Sequence, residues 1–426
     1  MEKIGADFRP FKSWRYNLKQ VSLAKVIAPP YDVISGAQRD GLYERSPFNV
    51  IRLILGKEPD FYNQARERWK AWRDQGVLAQ DPRPALYLYE QTFDHPFTGK
   101  AFSRLAVVGV LKLEEPDAVF RHETTFAGPK RDRLSLLEKV KTNLSPIFGL
   151  YTDPEKTTAK LWSAYKTKPA LFEAKDDQGV VHRGWAIENK EDQEKLRQIL
   201  SREKILIADG HHRYETALEY KKQMQKLNPS PGEAPYDFVM TALVASEDEG
   251  LLVLPTHRVI KSLAPSSRRE FVERLQKYFD LAPLPGEKLF EMLDAQPVQE
   301  RYFGLVLGSD GSFLMRLKDR AAIRSHLPKG KPNIWYEIEV NLLSHFIFDV
   351  LWGVSEEKRL GVIEYTHFDK EATQSVQSGK AEAAFLLRSP TVDTVRELAY
   401  AGERLPQKTT YFYPKLASGL FFYHHE

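Results

Sequence analysis

Two spacings of apolar residues alternate along the chain, one every three or four positions and one every second position, the marks of helices and strands. In "FYNQARERWKAWRDQG" (61–76), Ala65, Trp69 and Trp72 fall on one helical face and Gly76 follows as a stop. "PALYLYEQTF" (84–93) and "FSRLAVVGVLKLE" (102–114) read as strands flanking "DHPFTGK", a hairpin. The next helix is predicted to run through Leu134, Leu137, Val140 and Leu144, ahead of a strand at "SPIFGL" (145–150). Helices near 158–165 and 190–201 lead to "ILIADGHHRYETALEY" (205–220), where an aliphatic run ends in Asp-Gly. The helix after it carries Tyr214, Ala217, Tyr220, Met224 and Leu227 on one stripe.

Strands follow at "DFVMTALVAS" (237–246) and "GLLVLPTHRVI" (250–260). Beyond residue 263 come a helix at 268–279, a hairpin around "SDG", one long apolar helix at 335–353, and a strand–helix–strand–helix ending. The fold class expected is α/β, mixed α+β throughout. Three regions are expected: 1–104 as an N-terminal α/β wrap, 105–262 as a core, and 263–426 as a C-terminal α/β region.

Composition narrows the class. The 426 residues are 42% hydrophobic and 28% charged, ordinary for a globular protein with a sizeable core. No window approaches 18 consecutive apolar residues, and the first residues lack the apolar stretch of a signal peptide, so a cytoplasmic location without a membrane partner is expected. With no cysteine, disulfides, thiol nucleophiles and Cys-ligated metals are excluded. A net charge of +4 on near-balanced acids and bases makes nucleic acid an unlikely partner. It leaves the oligomeric state open.

The chemistry concentrates where strand hands over to helix. A helix N-terminus leaves N–H groups unpaired and favours an anion, Gly210 permits close backbone approach, and His211, His212 and Arg213 add donors. Asp209 has two jobs open to it: capping the helix, or holding magnesium beside a phosphate. Adjacent histidines point to different helix faces, which argues against zinc.

A second cluster, "RHETTFAGPKRDR" (121–133), brings His122, Glu123, Lys130, Arg131, Asp132 and Arg133 around a Gly-Pro turn. Glu123 suits a general base, and the cations suit phosphate; a solvated charged loop is the plainer reading. Tyr31 and Asp32 in "APPYDVIS" either line a pocket or form a rigid turn, and His257 ends a strand within reach of a pocket. "KTTYFYPKLASG" (408–419) sets Lys408, Lys415 and Ser418 among aromatics, a pattern for nucleotides or for a strand docking on the core.

The segments "APPYDVIS", "NVIRL", "RHETT", "KRDRLSLL", "NLSPIF", "ADGHHRYETAL" and "PQKTTYFYPKLASGL" together resemble the domain-of-unknown-function family 1015 along the whole chain. Over about 105–260, the order of Glu-bearing loop, helix, "SPIFGL", strand, "DGHHR" and helix resembles the ParB/sulfiredoxin-like fold, in its free serine kinase branch. That resemblance implies ATP or ADP with Mg2+ as cofactors and a small-molecule hydroxyl acceptor, L-serine first. It places Asp209, Gly210, His211, His212 and Arg213 at the phosphates and Glu123 as catalytic base. Sulfiredoxin chemistry is excluded because His211 stands where its cysteine belongs. A nucleotide-sensing protein, a ParB-like DNA-associated protein and a phosphate-ester hydrolase are the other functions this pattern allows.

Overall fold

The structure is a computed structural model and describes residues 5–113, 118–124, 127–227, 229, 232–264, 266–359 and 361–426. The fold is mixed α/β. The chain divides into two compact units: Met1–Arg121, Thr125–Leu252 and Phe412–Glu426 form the first, and His122–Thr124 with Val253–Tyr411 the second. The first unit thus takes strands from both the 1–104 and the 105–262 stretches.

Its sheet has nine strands among the described residues. They are β1 (Phe8–Arg9), β2 (Leu86–Asp94), β3 (Ala101–Lys112), β4 (Val119–Arg121), β5 (Ile147–Tyr151), β6 (Phe172–Lys175), β7 (Val181–Ile187), β8 (Ile205–Asp209) and β9 (Phe238–Ala245). The order is β4-β8-β5-β9-β3-β2-β7-β6, with β1 pairing β3. The β4·β8 and β5·β9 pairs are parallel and the others antiparallel. Central strands covered on both faces read as near-continuous apolar runs, and the middle of β2, Tyr87, Leu88 and Tyr89, is at most 1% exposed. Trp162, Trp185, Leu196, Tyr214 and Ala217 pack with these strands in one core.

Three helices of this unit matter below: α1 (Phe61–Asp74), α2 (Ala127–Val140) and α3 (His211–Leu227). In α1 the expected face of Ala65, Trp69 and Trp72 is buried. The second helix is shorter than its apolar spacing predicts. It stops at Val140, and Lys141 takes a left-handed φ of 50°, which no helix continues through. Thr142–Asn143 then pairs as a short strand with Tyr423–His424, which puts Leu144 outside the helix. The end of the chain returns to this unit: Phe412 packs on Phe148, and the carbonyls of Tyr413 and Pro414 accept from buried Arg104.

The second unit holds a six-stranded antiparallel sheet among its described residues, made of β10 (His257–Ile260), β11 (Phe279–Pro283), β12 (Tyr302–Val306), β13 (Ser312–Leu317), β14 (Ile363–Thr366) and β15 (Ala383–Leu386). Its order is β11-β13-β12-β15-β10-β14. The helices α4 (Arg268–Tyr278), α5 (Gly286–Asp294), α6 (Asp369–Gln377) and α7 (Val392–Tyr400) accompany it. Leu289, Leu293, Ala372 and Val376 from α5 and α6 meet Val259, Val306 and Leu386 in its core.

Two predicted elements break up. The run 250–260 divides at Pro255–Thr256 because proline cannot donate to a ladder. The single helix expected over 335–353 is three pieces, Asn333–Tyr336, Glu339–Leu342 and a π-wound Leu343–Trp352. Among the described residues, no helix is long and apolar enough to cross a membrane.

Candidate functional site

The turn between β8 and α3 is built from the strand outward. Ile205, Leu206 and Ile207 are at most 1% exposed, so β8 is anchored in the core up to its last residue. Against β5 the register shifts between Ile207 and Asp209, a bulge of one residue. A bulge re-aims the side chain that follows it, here the Asp209 carboxylate. Gly210 then adopts φ 91°, and a Cβ there would sit 2.9 Å from the Arg213 guanidinium. The positive φ is what calls for glycine here. His211 opens α3 directly, and the Tyr214 N–H donates to the Gly210 carbonyl at 3.0 Å.

The turn is held by charge. Asp209 Oδ2 accepts from Arg213 Nη2 at 2.8 Å, and Oδ1 is paired with Lys415 Nζ. Burial alone would push this carboxyl up, but Lys415 and Arg213, with His211 behind them, hold it well below the usual carboxylate range. Arg213 Nη1 also donates to Ser145 Oγ at 3.0 Å and to the Pro146 carbonyl at 2.5 Å. The expected phosphate clamp is therefore also a structural clamp, tying the end of β8 to the entry of β5.

Beside Arg213 lies a cleft of about 560 Å³ of open space, continuous with solvent. Its polar lining includes Tyr31, Arg133, Ser145, Arg213, Thr216 and Ser418, and Leu136, Ile147 and Val239 supply an apolar wall. The Arg133 guanidinium lies 4.0 Å over the Tyr31 ring and donates to the Ile54 carbonyl at 2.7 Å. Burial, reinforced by Asp32, pushes the Tyr31 hydroxyl up to about 12, so it is a neutral donor at ordinary pH. Ser418 is fully buried, and its hydroxyl has no hydrogen-bond partner among the described residues. A buried polar atom in that condition costs about 1–3 kcal/mol, unless a ligand or water completes it.

The sequence candidates separate into two groups. Asp209, Gly210, His211, His212 and Arg213 share the turn, with Arg133 and Tyr31 lining the cleft and Asp32 exposed next to Tyr31. Lys130 is paired at 3.1 Å with Glu215, which also binds Arg121 at 2.8 Å. His122, Glu123 and His257 belong to the second unit. There His122 Nε2 bonds Thr410 Oγ1 at 2.9 Å, and the same hydroxyl donates to Glu123 at 3.3 Å. His257 is fully buried and accepts from the Leu387 N–H at 3.2 Å. Burial, with Arg258 and His367 adding to it, drives its imidazole down to about 3, so it is neutral.

Magnesium fits Asp209 poorly. Both carboxylate oxygens are engaged by cations, and no group of three or more His, Asp or Glu side chains able to hold a metal occurs among the described residues. Lys415 and Ser418 complete the site from the far end of the chain. Their signal was the cation-and-aromatic pattern of residues 408–419, which carries no information on what it docks against.

Comparison with solved structures finds a free serine kinase variant in complex with AMP, 18% identical over 73% of this chain and 91% of that one, at a TM-score of 0.38. A conserved hypothetical protein from Pyrococcus furiosus is also 18% identical, covering 73% of this chain and 93% of that one, at 0.36. C-terminally truncated SbnI from Staphylococcus aureus is 9% identical, covering 73% and 85%, at 0.35. Similarity at this level does not carry a function from one protein to another. No curated protein matches. The family model described as "Protein of unknown function (DUF1015)" matches residues 8–340, and the chain belongs to that family.

Proposed function

We propose that the first unit binds an adenosine phosphate at the β8–α3 turn and that the protein transfers a phosphoryl group to a small hydroxylated metabolite, L-serine being the first candidate. The observation that carries this reading is a pre-formed turn, with Gly210 at φ 91° and Arg213 locked by three partners, opening on a cleft with an unsatisfied buried hydroxyl at Ser418. The α3 N-terminus and Arg213 suit phosphate oxygens, whereas Arg133 is already paired with Asp132 at 2.5 Å. The apolar wall and Tyr31 suit the nucleoside. The free serine kinase solved with AMP and the variant solved with ADP have the ligands and chemistry this reading assigns here.

In this scheme the protein positions the transferred group and offsets its charge, which is most of what phosphoryl transfer asks of it. The resemblance of the Glu-bearing loop to that of the free serine kinase branch supports Glu123 as the acceptor of the hydroxyl proton. A nucleotide sensor without turnover is the second reading, favoured by the capture of both Asp209 oxygens by cations rather than by a metal.

The test is calorimetric titration of the full chain with AMP, ADP and ATP, with and without magnesium, followed by a transfer assay with L-serine. Binding of an adenosine phosphate that weakens at least about tenfold in Ser418→Val is expected. Glu123→Gln is expected to keep binding and lose turnover by roughly 10²–10⁴. No binding of any of the three nucleotides rejects the site. Binding without transfer to serine or other hydroxylated metabolites selects the sensor.

A further inference from the structure

The second unit contains a cavity of its own, about 820 Å³ of open space, lined by residues of β10, of the connection from β15 into the start of α7, and of the segment 337–340. Three arginines and three carboxylates face it: Arg258, Arg301, Arg388, Asp294, Glu337 and Glu339. Two of the arginines are neutralised, Arg301 by Glu337 and Arg388 by Glu339. Arg258 is not.

Arg258 is 4% exposed and has no carboxylate within ion-pair distance among the described residues. Its guanidinium donates only to the main-chain carbonyls of Thr256 and of Lys408, the latter at 3.2 Å, and lies 5.5 Å from the Tyr365 ring centre. Burial lowers its proton affinity to about 10, with Tyr365 and Glu123 opposing that effect only in part. A desolvated cation without a counter-ion is unfavourable, and a built anion site is one arrangement in which it is kept.

Two further features point the same way. Arg301 is 7% exposed, and its Nε–H is buried without a partner among the described residues. The N-terminal end of α7 also opens here, with the Thr391 hydroxyl accepting from the Thr394 N–H at 3.1 Å and both threonines lining the cavity. The end of a nine-residue helix carries partial positive charge toward whatever occupies that space.

We infer that this cavity is a binding site for a small carboxylate-bearing metabolite, its carboxylate held by Arg258 and the N-terminal end of α7. A carboxylate matches the planar fork of a guanidinium with two parallel bonds. The walls supplied by Ile338, Val340 and Leu387 leave room for a short carbon skeleton. The paired Glu337 and Glu339 favour a singly charged or zwitterionic ligand over a highly charged one such as a polyphosphate.

The experiment titrates the full chain by calorimetry with acetate, succinate, L-alanine and inorganic phosphate, in parallel with Arg258→Gln and Val298→Trp. Val298 lines the cavity but is 69% exposed, so its replacement narrows the opening without touching the core. Binding of acetate, succinate or L-alanine is expected in the parent and should weaken at least about tenfold in both variants. If Arg258→Gln does not fold, as judged by circular dichroism, Val298→Trp alone decides. The inference is overturned if the parent binds none of the three carboxylates, if it binds phosphate in preference, or if binding is unchanged in the folded variants.

Discussion

The two cavities solve the same problem, a cation out of water, in opposite ways. In the first unit Arg213 and Lys415 converge on Asp209, so the turn carries its own counter-charge and is rigid before any ligand arrives. In the second, Arg258 is held by two carbonyls and a nearby tyrosine ring, with no carboxylate in ion-pair contact among the described residues. The first arrangement stores positional accuracy; the second stores affinity for an anion. Internal pairing fixes geometry, and its absence leaves electrostatic free energy for a ligand to release.

The largest effect that would break this contrast is on stability. Asp209→Ala leaves two partly buried cations facing each other and should cost about 2–4 kcal/mol in urea unfolding. Arg258→Met removes an unneutralised charge and leaves two carbonyls short of a donor, so its cost should stay within about 1–2 kcal/mol. Equal losses in the two variants would dissolve the distinction. Next in size, Gly210→Ala forces a side chain into φ 91° and against Arg213, and should cost about 1–3 kcal/mol while weakening nucleotide binding more than binding of carboxylates.

The smallest effects are in pH dependence, and they fall in different windows. The Asp209 carboxyl lies below its unfolded value of about 3.9. Its contribution is complete above that pH and fades as pH falls further, and Asp209→Asn should flatten the acid limb there. His257 is lowered to about 3 from about 6.5, so the unfolded chain binds the extra proton between those values. Stability should fall as pH drops from 6.5, by at most about 1.4 kcal/mol per unit, and less steeply in His257→Gln. His424 and His425, lowered to about 4 and about 3 mainly by burial, add to the same slope.

Much of the first site was legible because its signals are local. An aliphatic run, Asp-Gly and an amphipathic stripe specify strand, turn and helix within the sixteen residues 205–220, and all three are present. The partners of that turn were not legible as partners. Ser145 and Lys415 reach it from 68 and 206 residues away, and only tertiary packing decides that Lys415 faces Asp209 rather than solvent. Helix ends failed for a related reason: Leu144 continues the apolar spacing of α2, yet Lys141 breaks the helix without a glycine or proline to announce it. The long run 335–353 is apolar on nearly every side, so periodicity could not mark where it divides. Arg258 was only half legible: His-Arg at a strand end next to the core suggests a pocket, but its burial and its lack of a paired carboxylate come from tertiary packing.

The first unit is discontinuous, with residues 253–411 intervening before its last strand and strap. Lys415 and Ser418 therefore reach the turn only after a loop of that length has closed, which for a flexible chain costs about 4–5 kcal/mol of entropy. The longest-range contacts of the first unit are thus the ones that a chain shortened at Tyr411 would lose while keeping every residue of the second.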